Sequence, residues 1–233
     1  MFRYCFNTIK NGIFMDYTDF SHKFDFENGF YLTSSVARMS KFATHLELFR
    51  QVSGLAGDIV ECGVFKGASL SRFIKFRTLF ENESSKKIHA FDTFDLYPEV
   101  NSEEDRAMRD KFITEAGDLS ISRSRLIEVL KENNLYNNIE LIGGDIQKSV
   151  PEYLKQNSHL RISLLHIDVD LYGPTNIALQ SFYPHVVQGG IVILDDYGAF
   201  AGANRAIEEF FEGTGQRIRK LDYSNISFVE KGA

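Results

Sequence analysis

What the sequence lacks argues against several classes of protein. Cysteine is scarce: the 233 residues contain only Cys5 and Cys62, and Cys62 falls inside an apolar run. A disulfide framework is therefore not expected, and a reducing cytoplasm is the expected location. No apolar stretch approaches the ~20 residues of a membrane-spanning helix. The opening MFRYCFNTIKNGIF is too interrupted by polar residues to be a signal peptide.

Basic runs are also missing. Lysine and arginine number 26 against 32 aspartates and glutamates, which gives a net charge of −6 and a pI near 5.6. Nucleic-acid binding needs a basic footprint for the phosphates, so no nucleic-acid partner is expected. Repeats, low-complexity tracts and domain linkers are absent as well. We therefore expect one main domain over residues 34–233, preceded by an arm over residues 1–33.

The arm is rich in aromatic residues. Its first 31 residues hold seven of the 21 phenylalanines, together with three tyrosines, and they show no clean period. So many exposed aromatic side chains would promote aggregation. This favours packing of the arm on its own domain or a contact in a homo-oligomer, and a lid over a substrate is the alternative.

The most informative stretch covers residues 162–197. Two short apolar runs, Ile162–Ile167 and Gly190–Leu194, are separated by a segment with helical spacing. This is the pattern of a βαβ unit with two buried, parallel strands. The carboxyl ends of such strands share one edge of the sheet, and ligands bind at that edge.

Aspartates follow both apolar runs directly: Asp168 and Asp170 after the first, Asp195 and Asp196 after the second. Neighbouring strands lie ~4.8 Å apart, so Asp168, Asp195 and Asp196 would face one small space. Crowded carboxylates repel each other unless they are protonated or bridged by a cation. Mg²⁺ or Ca²⁺ suits such oxygen ligands. The cluster favours a metal site over the alternative that the aspartates only cap the next helix or turn.

A glycine turn follows an earlier strand. The segment GDIVECGVFKGAS predicts a strand at Asp58–Cys62, a turn containing Gly63 and Gly67, and then a helix. This order is typical of the nucleoside-binding opening of a doubly wound fold. The dinucleotide fingerprint G-x-G-x-x-G is absent, which suits a ligand without a pyrophosphate. Glu61 at the strand end would favour a cation or a hydroxyl over a phosphate.

Two further acids end predicted strands. Asp92 follows a strand at 87–91, where an acid commonly accepts hydrogen bonds from ribose hydroxyls. Asp145 follows a strand at 139–142 and either accepts a hydrogen bond from an adenine amino group or caps the next helix. The polar segment 93–120 is expected at the ligand edge of the sheet, as a cover for the site or as a solvated insertion.

Apolar spacing predicts an amphipathic helix over residues 34–52, with Ser34 or Thr33 as its N-cap. Its other face carries basic residues that are either solvated or in contact with an anionic substrate: Arg38, Lys41 and His45.

The chain ends in a predicted hairpin formed by residues 217–221 and 226–230. The expected fold class is therefore α/β. It is a doubly wound, Rossmann-like, seven-stranded and mostly parallel sheet that ends in an antiparallel hairpin, with a helical N-terminal extension.

Together these segments resemble a known family. The resemblance is carried by five motifs, in order E-C-G-V-F-K-G-A-S, F-D-T-F, G-D, I-D-V-D-L-Y and L-D-D-Y. They are similar to motifs of the macrocin O-methyltransferase (TylF-like) family, over about residues 34–212. Those enzymes are S-adenosylmethionine-dependent and Mg²⁺-dependent sugar O-methyltransferases. The resemblance implies a class I methyltransferase fold and a small-molecule hydroxyl acceptor, expected to be a sugar. The segment Asp92–Pro98 departs from the family pattern, which bears on the identity of the acceptor.

The resemblance also implies the site residues. S-adenosylmethionine would be bound by Glu61, Gly63, Phe65, Gly67, Ser69, Asp92, Thr93, Phe94, Asp145, Ile146 and Asp168. The metal would be held by Asp168, Asp195 and Asp196, and Asp168 is also the candidate catalytic base. A metal would lower the pKa of the acceptor hydroxyl and fix its position, and Asp168 would take its proton. His166 is expected to be a buried histidine rather than a base.

Three other interpretations stay open. The acceptor could be a catechol or another phenol instead of a sugar. A Rossmann nucleotide-dependent reductase or epimerase is a second alternative, and Glu61 together with the missing third glycine counts against it. A non-catalytic methyltransferase-like partner is the third, and the full set of aspartates counts against it.

Overall fold

The computed structural model describes residues 16–98, 100 and 103–232. Its strands are β1 (Asp58–Cys62), β2 (Ile88–Asp92), β3 (Ile139–Gly143), β4 (Ile162–Ile167), β5 (Val186–Leu194), β6 (Arg219–Lys220) and β7 (Ser227–Glu230). Its α-helices are α1 (Lys23–Thr33), α2 (Val36–Val52), α3 (Ala68–Phe80), α4 (Glu103–Ala116), α5 (Arg123–Glu132), α6 (Ile146–Gln156), α7 (Tyr172–Phe182) and α8 (Ala201–Phe211). Within this described part of the chain, no helix has both the length and the apolar character needed to cross a membrane. The cytoplasmic location stays a prediction.

The strands form one sheet in the order β3-β2-β1-β4-β5-β7-β6. The first five of these are parallel, and β7 pairs antiparallel with both β5 and β6. This confirms the predicted mostly parallel sheet that ends in a hairpin. The chain order reverses between β1 and β4, and the carboxyl ends of strands at such a switch point open a crevice for a ligand.

Helices cover both faces of the sheet. Alternation along β1 sends Ile59 to one face, where it packs with Leu48 of α2 and Phe73 of α3. Val60 points to the other face and packs with Leu179 of α7. Because α2 packs against α3, β4 and β5, its polar residues reach the edge of the sheet where β4 and β5 end.

The start of α2 differs from the prediction. Its N-cap is Ser35, whose hydroxyl accepts a hydrogen bond from the Arg38 amide, rather than Ser34 or Thr33. The reason is that another helix precedes it: Thr33 is the last residue of α1, and Ser34 is the C-cap of that helix. The other predicted helices and strands are present, with ends that differ by a few residues.

The N-terminal arm lies only partly within the described residues, because residues 1–15 fall outside them. Arg125 of α5 donates hydrogen bonds to the Thr18 hydroxyl, which ties the described part of the arm to the domain. Helix α1 has no buried residue, and Phe24 and Leu32 are largely exposed. Packing of these α1 side chains on the domain is thus not observed, and a contact between subunits through the arm stays a prediction.

Candidate active site

A cavity of about 660 Å³ opens at the carboxyl edge of β1 and β4, within the ~300–1,000 Å³ typical of small-molecule sites. Most of the predicted cofactor residues line it: Gly63, Phe65, Ser69, Asp92, Thr93, Asp145, Ile146 and Asp168. A second cavity lies beside Asp195 and Tyr197. Arg38 and Lys41 line both cavities, so these two side chains lie at their boundary.

Three predicted cofactor residues do not line the first cavity. Phe94 is buried, and Gly67, at φ +82°, is the N-cap of α3. Glu61 is fully buried, and its carboxylate lies 3.1 Å from Nδ1 of His166 on the neighbouring strand β4. The expectation that Glu61 presents its charge at the strand end is therefore corrected: the side chain faces His166, its register partner, inside the protein.

Gly63 makes the turn between β1 and α3 through a close approach of two backbones. Its φ is +92°, and a Cβ at this position would lie 1.7 Å from the carbonyl oxygen of Asp168. The Asp168 amide in turn donates to the carbonyl of Cys62. The absent side chain thus makes room for the end of β4, and this contact holds Asp168 next to the turn.

Asp92 organises the same turn from β2. One of its carboxylate oxygens accepts hydrogen bonds from the amides of Val64 (2.7 Å) and Phe65 (2.9 Å), and the other accepts from Phe94 (2.7 Å). A carboxylate has about four acceptor positions. The three amides take about three of these positions, and the Thr93 hydroxyl lies 3.3 Å from Oδ1. A ligand hydroxyl in the cavity that Asp92 lines would take the place of this longer contact.

Asp145 at the end of β3 caps α6, since its carboxylate accepts a hydrogen bond from the Gln147 amide at 3.0 Å. Asp145 and Ile146 also line the cavity. The capping role is thus present, and a contact of Asp145 with an adenine stays a prediction.

The aspartates after β4 and β5 come together as predicted. Asp168, Asp195 and Asp196 each have a carboxylate oxygen within 4.8 Å of the others. One oxygen of Asp196 also accepts hydrogen bonds from the amides of Val169 (2.9 Å) and Asp170 (2.8 Å). Burial, together with the charges of Asp170 and Asp168, raises the pKa of Asp196 well above its usual value.

Helix α2 contributes two side chains to this cluster, Lys41 and His45. Both were expected either on a solvated face or in contact with an anionic substrate. The Lys41 ammonium lies 3.1 Å from Oδ2 of Asp168 and 2.5 Å from Oδ2 of Asp195. His45 is fully buried, with Nε2 3.4 Å from Oδ1 of Asp195. The solvated interpretation is wrong for both residues, because α2 packs on β4 and β5 with this side facing their ends.

His166 is buried as predicted, between two carboxylates. Its Nδ1 faces Glu61 and its Nε2 lies 3.5 Å from Oδ1 of Asp195. Burial by itself would lower the pKa of His166, but the two carboxylates outweigh burial and raise that pKa to about 9. Burial likewise opposes ionisation of Asp195, but Lys41 and the two histidines hold the pKa of Asp195 well below its usual value.

Asp170 is not one of the three clustered carboxylates, which are those of Asp168, Asp195 and Asp196. It has a left-handed backbone conformation, with φ +61°, and its carboxylate accepts a hydrogen bond of 2.7 Å from the Tyr97 hydroxyl. Burial and the charge of Asp168 raise the pKa of Asp170 to about 6. Tyr97 belongs to the segment whose sequence departs from the family pattern, so that departure places a phenol over the aspartate motif.

The segment 93–120 lies at the ligand edge, as expected, and several of its residues line the cavity, among them Tyr97, Asp105 and Phe112. Asp105 is buried, and its carboxylate accepts a long hydrogen bond of 3.4 Å from the Tyr172 amide at the start of α7. The Lys66 ammonium donates to the carbonyl of Leu119, which ties the end of the segment to the glycine turn.

The donors of the acidic cluster fit a hard divalent cation. Asp168, Asp195 and Asp196 offer only oxygen atoms, which are the ligands that Mg²⁺ prefers. Burial and the charges of Asp170, Asp168 and Asp195 raise the pKa of Asp196, so a further cation would stabilise the ionised form of this carboxylate.

The sheet order and the position of the cavity define a class I methyltransferase fold. The calicheamicin methyltransferase CalS11 has the same fold, with a TM-score of 0.75 at 26% identity, over 91% of this chain and 86% of that chain. The O-methyltransferase NovP gives a TM-score of 0.68 at 20% identity, over 83% and 80% of the two chains, which supports the fold alone.

The sequence then identifies the family. The profile of the family described as Macrocin-O-methyltransferase (TylF) matches residues 29–228, and the chain belongs to this family. The predicted resemblance is confirmed, and the matched range extends beyond residues 34–212 at both ends.

Two characterised relatives are O-methyltransferases. The 8-demethyl-8-(2,3-dimethoxy-alpha-L-rhamnosyl)-tetracenomycin-C 4'-O-methyltransferase of Streptomyces olivaceus is 27% identical over 146 residues, which are 62% of this chain and 54% of that protein. The mycinamicin III 3''-O-methyltransferase of Micromonospora griseorubida is 24% identical over 179 residues, which are 74% and 68% of the two chains. The chain thus spans about half the length of the first of these relatives.

Proposed function

We propose that this protein transfers the methyl group of S-adenosylmethionine to a sugar hydroxyl, on a glycoside, a nucleotide sugar or a glycan precursor, with Mg²⁺ as the metal. Membership in the macrocin O-methyltransferase family supports the reaction class. The sugar is supported by relatives named for rhamnosyl and macrolide substrates and by CalS11, a structure of which is described as a TDP-rhamnose 3'-O-methyltransferase.

The observation that carries the proposal is the position of Asp168. It lines the same cavity as the glycine turn, its backbone carbonyl contacts that turn at Gly63, and its carboxylate belongs to the acidic cluster. A single residue thus joins the proposed cofactor side of the site to the proposed acceptor side. Burial and the charge of Asp195 raise the pKa of Asp168, while the charges of Lys41 and His166 oppose this.

The proposed mechanism assigns one task to each part of the site. S-adenosylmethionine supplies the methyl group, and Mg²⁺ bound to the three carboxylates would lower the pKa of the acceptor hydroxyl. With both groups bound, Asp168 would accept the hydroxyl proton when the methyl group passes from sulfur to the acceptor oxygen. Asp92 holds the glycine turn and would accept a ribose hydroxyl in place of its longer contact with the Thr93 hydroxyl. Tyr97 and Phe112, whose ring centroids lie 5.7 Å apart, form part of the cavity wall and would cover a bound ligand.

The first experiment is a calorimetric titration of S-adenosylhomocysteine into the purified protein, once with Mg²⁺ and once with EDTA. We expect binding under both conditions, since Asp92 and the glycine turn need no metal. NAD serves as the competing ligand, and binding of NAD in place of S-adenosylhomocysteine would support the reductase interpretation and contradict the proposal.

The acceptor is tested by mass spectrometry of reactions with S-adenosylmethionine. Deoxysugar nucleotides, rhamnosides and catechols form the acceptor series, each measured with Mg²⁺ and with EDTA. We expect a mass gain of one methyl group on a sugar acceptor, dependent on Mg²⁺ and abolished by Asp196→Ala. Transfer to catechols alone would replace the sugar by a phenolic acceptor, and turnover unchanged in Asp196→Ala would contradict the metal assignment.

A further inference from the structure

Lys41 places a positive charge within the carboxylate cluster. Its side chain is 22% exposed, and the Asp195 side chain beside it is 8% exposed. The two oxygens that contact its ammonium, Oδ2 of Asp168 and Oδ2 of Asp195, come from different strands. The carboxylates that were expected to need a bridging cation are therefore bridged by a cation that the chain itself supplies.

The ammonium and a metal ion compete for one position. An Mg²⁺ ion bound to these two oxygens would lie ~2.0–2.1 Å from each of them. The Lys41 nitrogen lies 3.1 and 2.5 Å from the same two atoms. An Mg²⁺ ion and an ammonium group so close together would repel each other strongly, because their charges would lie only a short distance apart with little water between them.

We propose that Lys41 is a built-in counter-cation that holds Asp168 and Asp195 together when no metal is bound, and that a divalent ion binds these carboxylates only by displacing its ammonium. The proposal rests on the part of the proposed function that assigns a metal to these carboxylates. It does not depend on the identity of the acceptor.

Two cavities next to Lys41 have space for the displaced ammonium. Lys41 lines both the cavity proposed for the cofactor and the second cavity beside Asp195. A rotation of the side chain into either cavity would release the two oxygens without moving α2. A metal ion in the site would therefore place the Lys41 ammonium in the space at the boundary of the two cavities.

Metal affinity provides the first test. Mg²⁺ and Mn²⁺ are titrated by calorimetry into the protein saturated with S-adenosylhomocysteine, in wild type, Lys41→Met and Arg72→Met. Arg72 lines the same cavity and interacts electrostatically with Asp195 and Asp168, so it controls for the loss of a nearby positive charge. We expect Lys41→Met to bind the metal at least ~10-fold more tightly than wild type, and Arg72→Met to change the affinity much less.

Three outcomes of that titration would overturn the proposal. These are equal affinity in wild type and Lys41→Met, an equal gain in Arg72→Met, and no metal binding to any of the three proteins. Lys41→Gln replaces Lys41→Met if the latter does not fold. Binding of S-adenosylhomocysteine is measured in the same samples, so a failure of the cofactor assignment is recognised separately.

Chemical labelling of wild type tests the displacement directly. An amine-reactive reagent is applied with EDTA and with saturating Mg²⁺, and the labelled lysines are quantified by mass spectrometry. Lys148, whose side chain is 81% exposed, is the internal control. We expect Mg²⁺ to increase labelling of Lys41 several-fold and to leave Lys148 unchanged. Metal binding without a change at Lys41 would show that the ammonium stays in place, which contradicts the proposal.

Discussion

The two sides of the cavity are built by different kinds of interaction. On the side of β1 and β2, the carboxylate of Asp92 is held mainly by backbone amides, two in the glycine turn after β1 and one, that of Phe94, in the segment after β2. On the side of β4 and β5, Asp168 and Asp195 are held mainly by other side chains, above all Lys41 and His166, whereas Asp196 accepts hydrogen bonds from two backbone amides. Burial, together with the charges of neighbouring aspartates, raises the pKa of both Asp170 and Asp196 there.

This difference indicates how each side of the cavity responds to a ligand. A carboxylate held by backbone amides is fixed as long as the fold is intact, which suits a site that receives a ligand of constant shape. Carboxylates held by charged side chains respond to any cation, proton or hydroxyl that enters, because each newcomer alters a network of strong interactions. We therefore expect substitutions on the two sides to differ in what they impair, and four predictions test this expectation.

The largest effect is expected where the two sides touch. Gly63→Ala places a Cβ 1.7 Å from the carbonyl oxygen of Asp168, and backbone on both sides prevents relief. We expect a loss of more than about 4 kcal/mol in the free energy of unfolding, measured with urea. Gly198→Ala is the matched control, since Gly198 has the same φ of +92° with nothing within 4 Å. Equal losses in both variants would show that backbone strain alone matters.

Asp168→Asn and Asp92→Asn should each impair a different property, the first kcat and the second the affinity for the cofactor. Asp168→Asn removes the proposed base, so kcat should fall by about 10²–10⁴-fold while the affinity for S-adenosylhomocysteine changes little. Asp92→Asn replaces one acceptor oxygen of the turn by a donor, so cofactor affinity should fall first. Steady-state kinetics and calorimetry measure the two quantities. A comparable loss of cofactor affinity in both variants would remove the distinction between the two sides.

The acidic side should also make stability depend on pH. The pKa of His166 is raised to about 9 in the folded protein, against ~6.5 in an unfolded chain. The folded state therefore binds this proton more tightly, and the stabilisation is complete below pH ~6.5 and is lost as the pH rises through about 9. A shift of this size corresponds to up to about 3 kcal/mol. We expect His166→Gln to lack this decline in urea unfolding series.

The exposed residue His159 supplies the control for that series through His159→Gln. The assignment to His166 would be contradicted if wild type and His166→Gln lost stability in parallel between pH 6 and pH 10.

The smallest effect is expected at the cover of the site. Tyr97→Phe removes the 2.7 Å hydrogen bond to the buried Asp170 carboxylate and should cost about 1–2 kcal/mol, read as a lower Tm. Tyr197→Phe removes a similar bond, 3.1 Å to Glu208 at the surface, and should cost less than about 0.5 kcal/mol. If the two variants melt at the same temperature, the contact between Tyr97 and the aspartate motif does not stabilise the cover.

Much of the candidate site follows from local pattern. Apolar runs that lead into Asp168 and Asp195 predict two parallel strands whose ends share an edge, and β4 and β5 are neighbours in the sheet. The turn around Gly63 and the acids at Asp92 and Asp145 are likewise found at the ends of β1, β2 and β3. These predictions succeed because a strand end fixes the position of the next residue within a few ångströms, whatever the rest of the chain does.

The direction of individual side chains was harder to predict. Glu61 was expected at the ligand edge, but alternation along β1 turns it towards His166, and only the register of β1 on β4 makes those two residues partners. Asp145 shows the same ambiguity in a milder form, because a helix cap and a cavity-lining residue have the same sequence signature.

Hydrophobic pattern and strand ends are local properties of the chain, and they were sufficient to predict the strands, the mostly parallel sheet and the cluster of aspartates. The tertiary structure alone decided which cation meets those aspartates. Lys41 lies 127 residues before Asp168, and its amphipathic helix is compatible with many rotations on a sheet. Packing of α2 on α3, β4 and β5 selects the one rotation that brings the Lys41 ammonium to the carboxylates, and no local pattern encodes that choice.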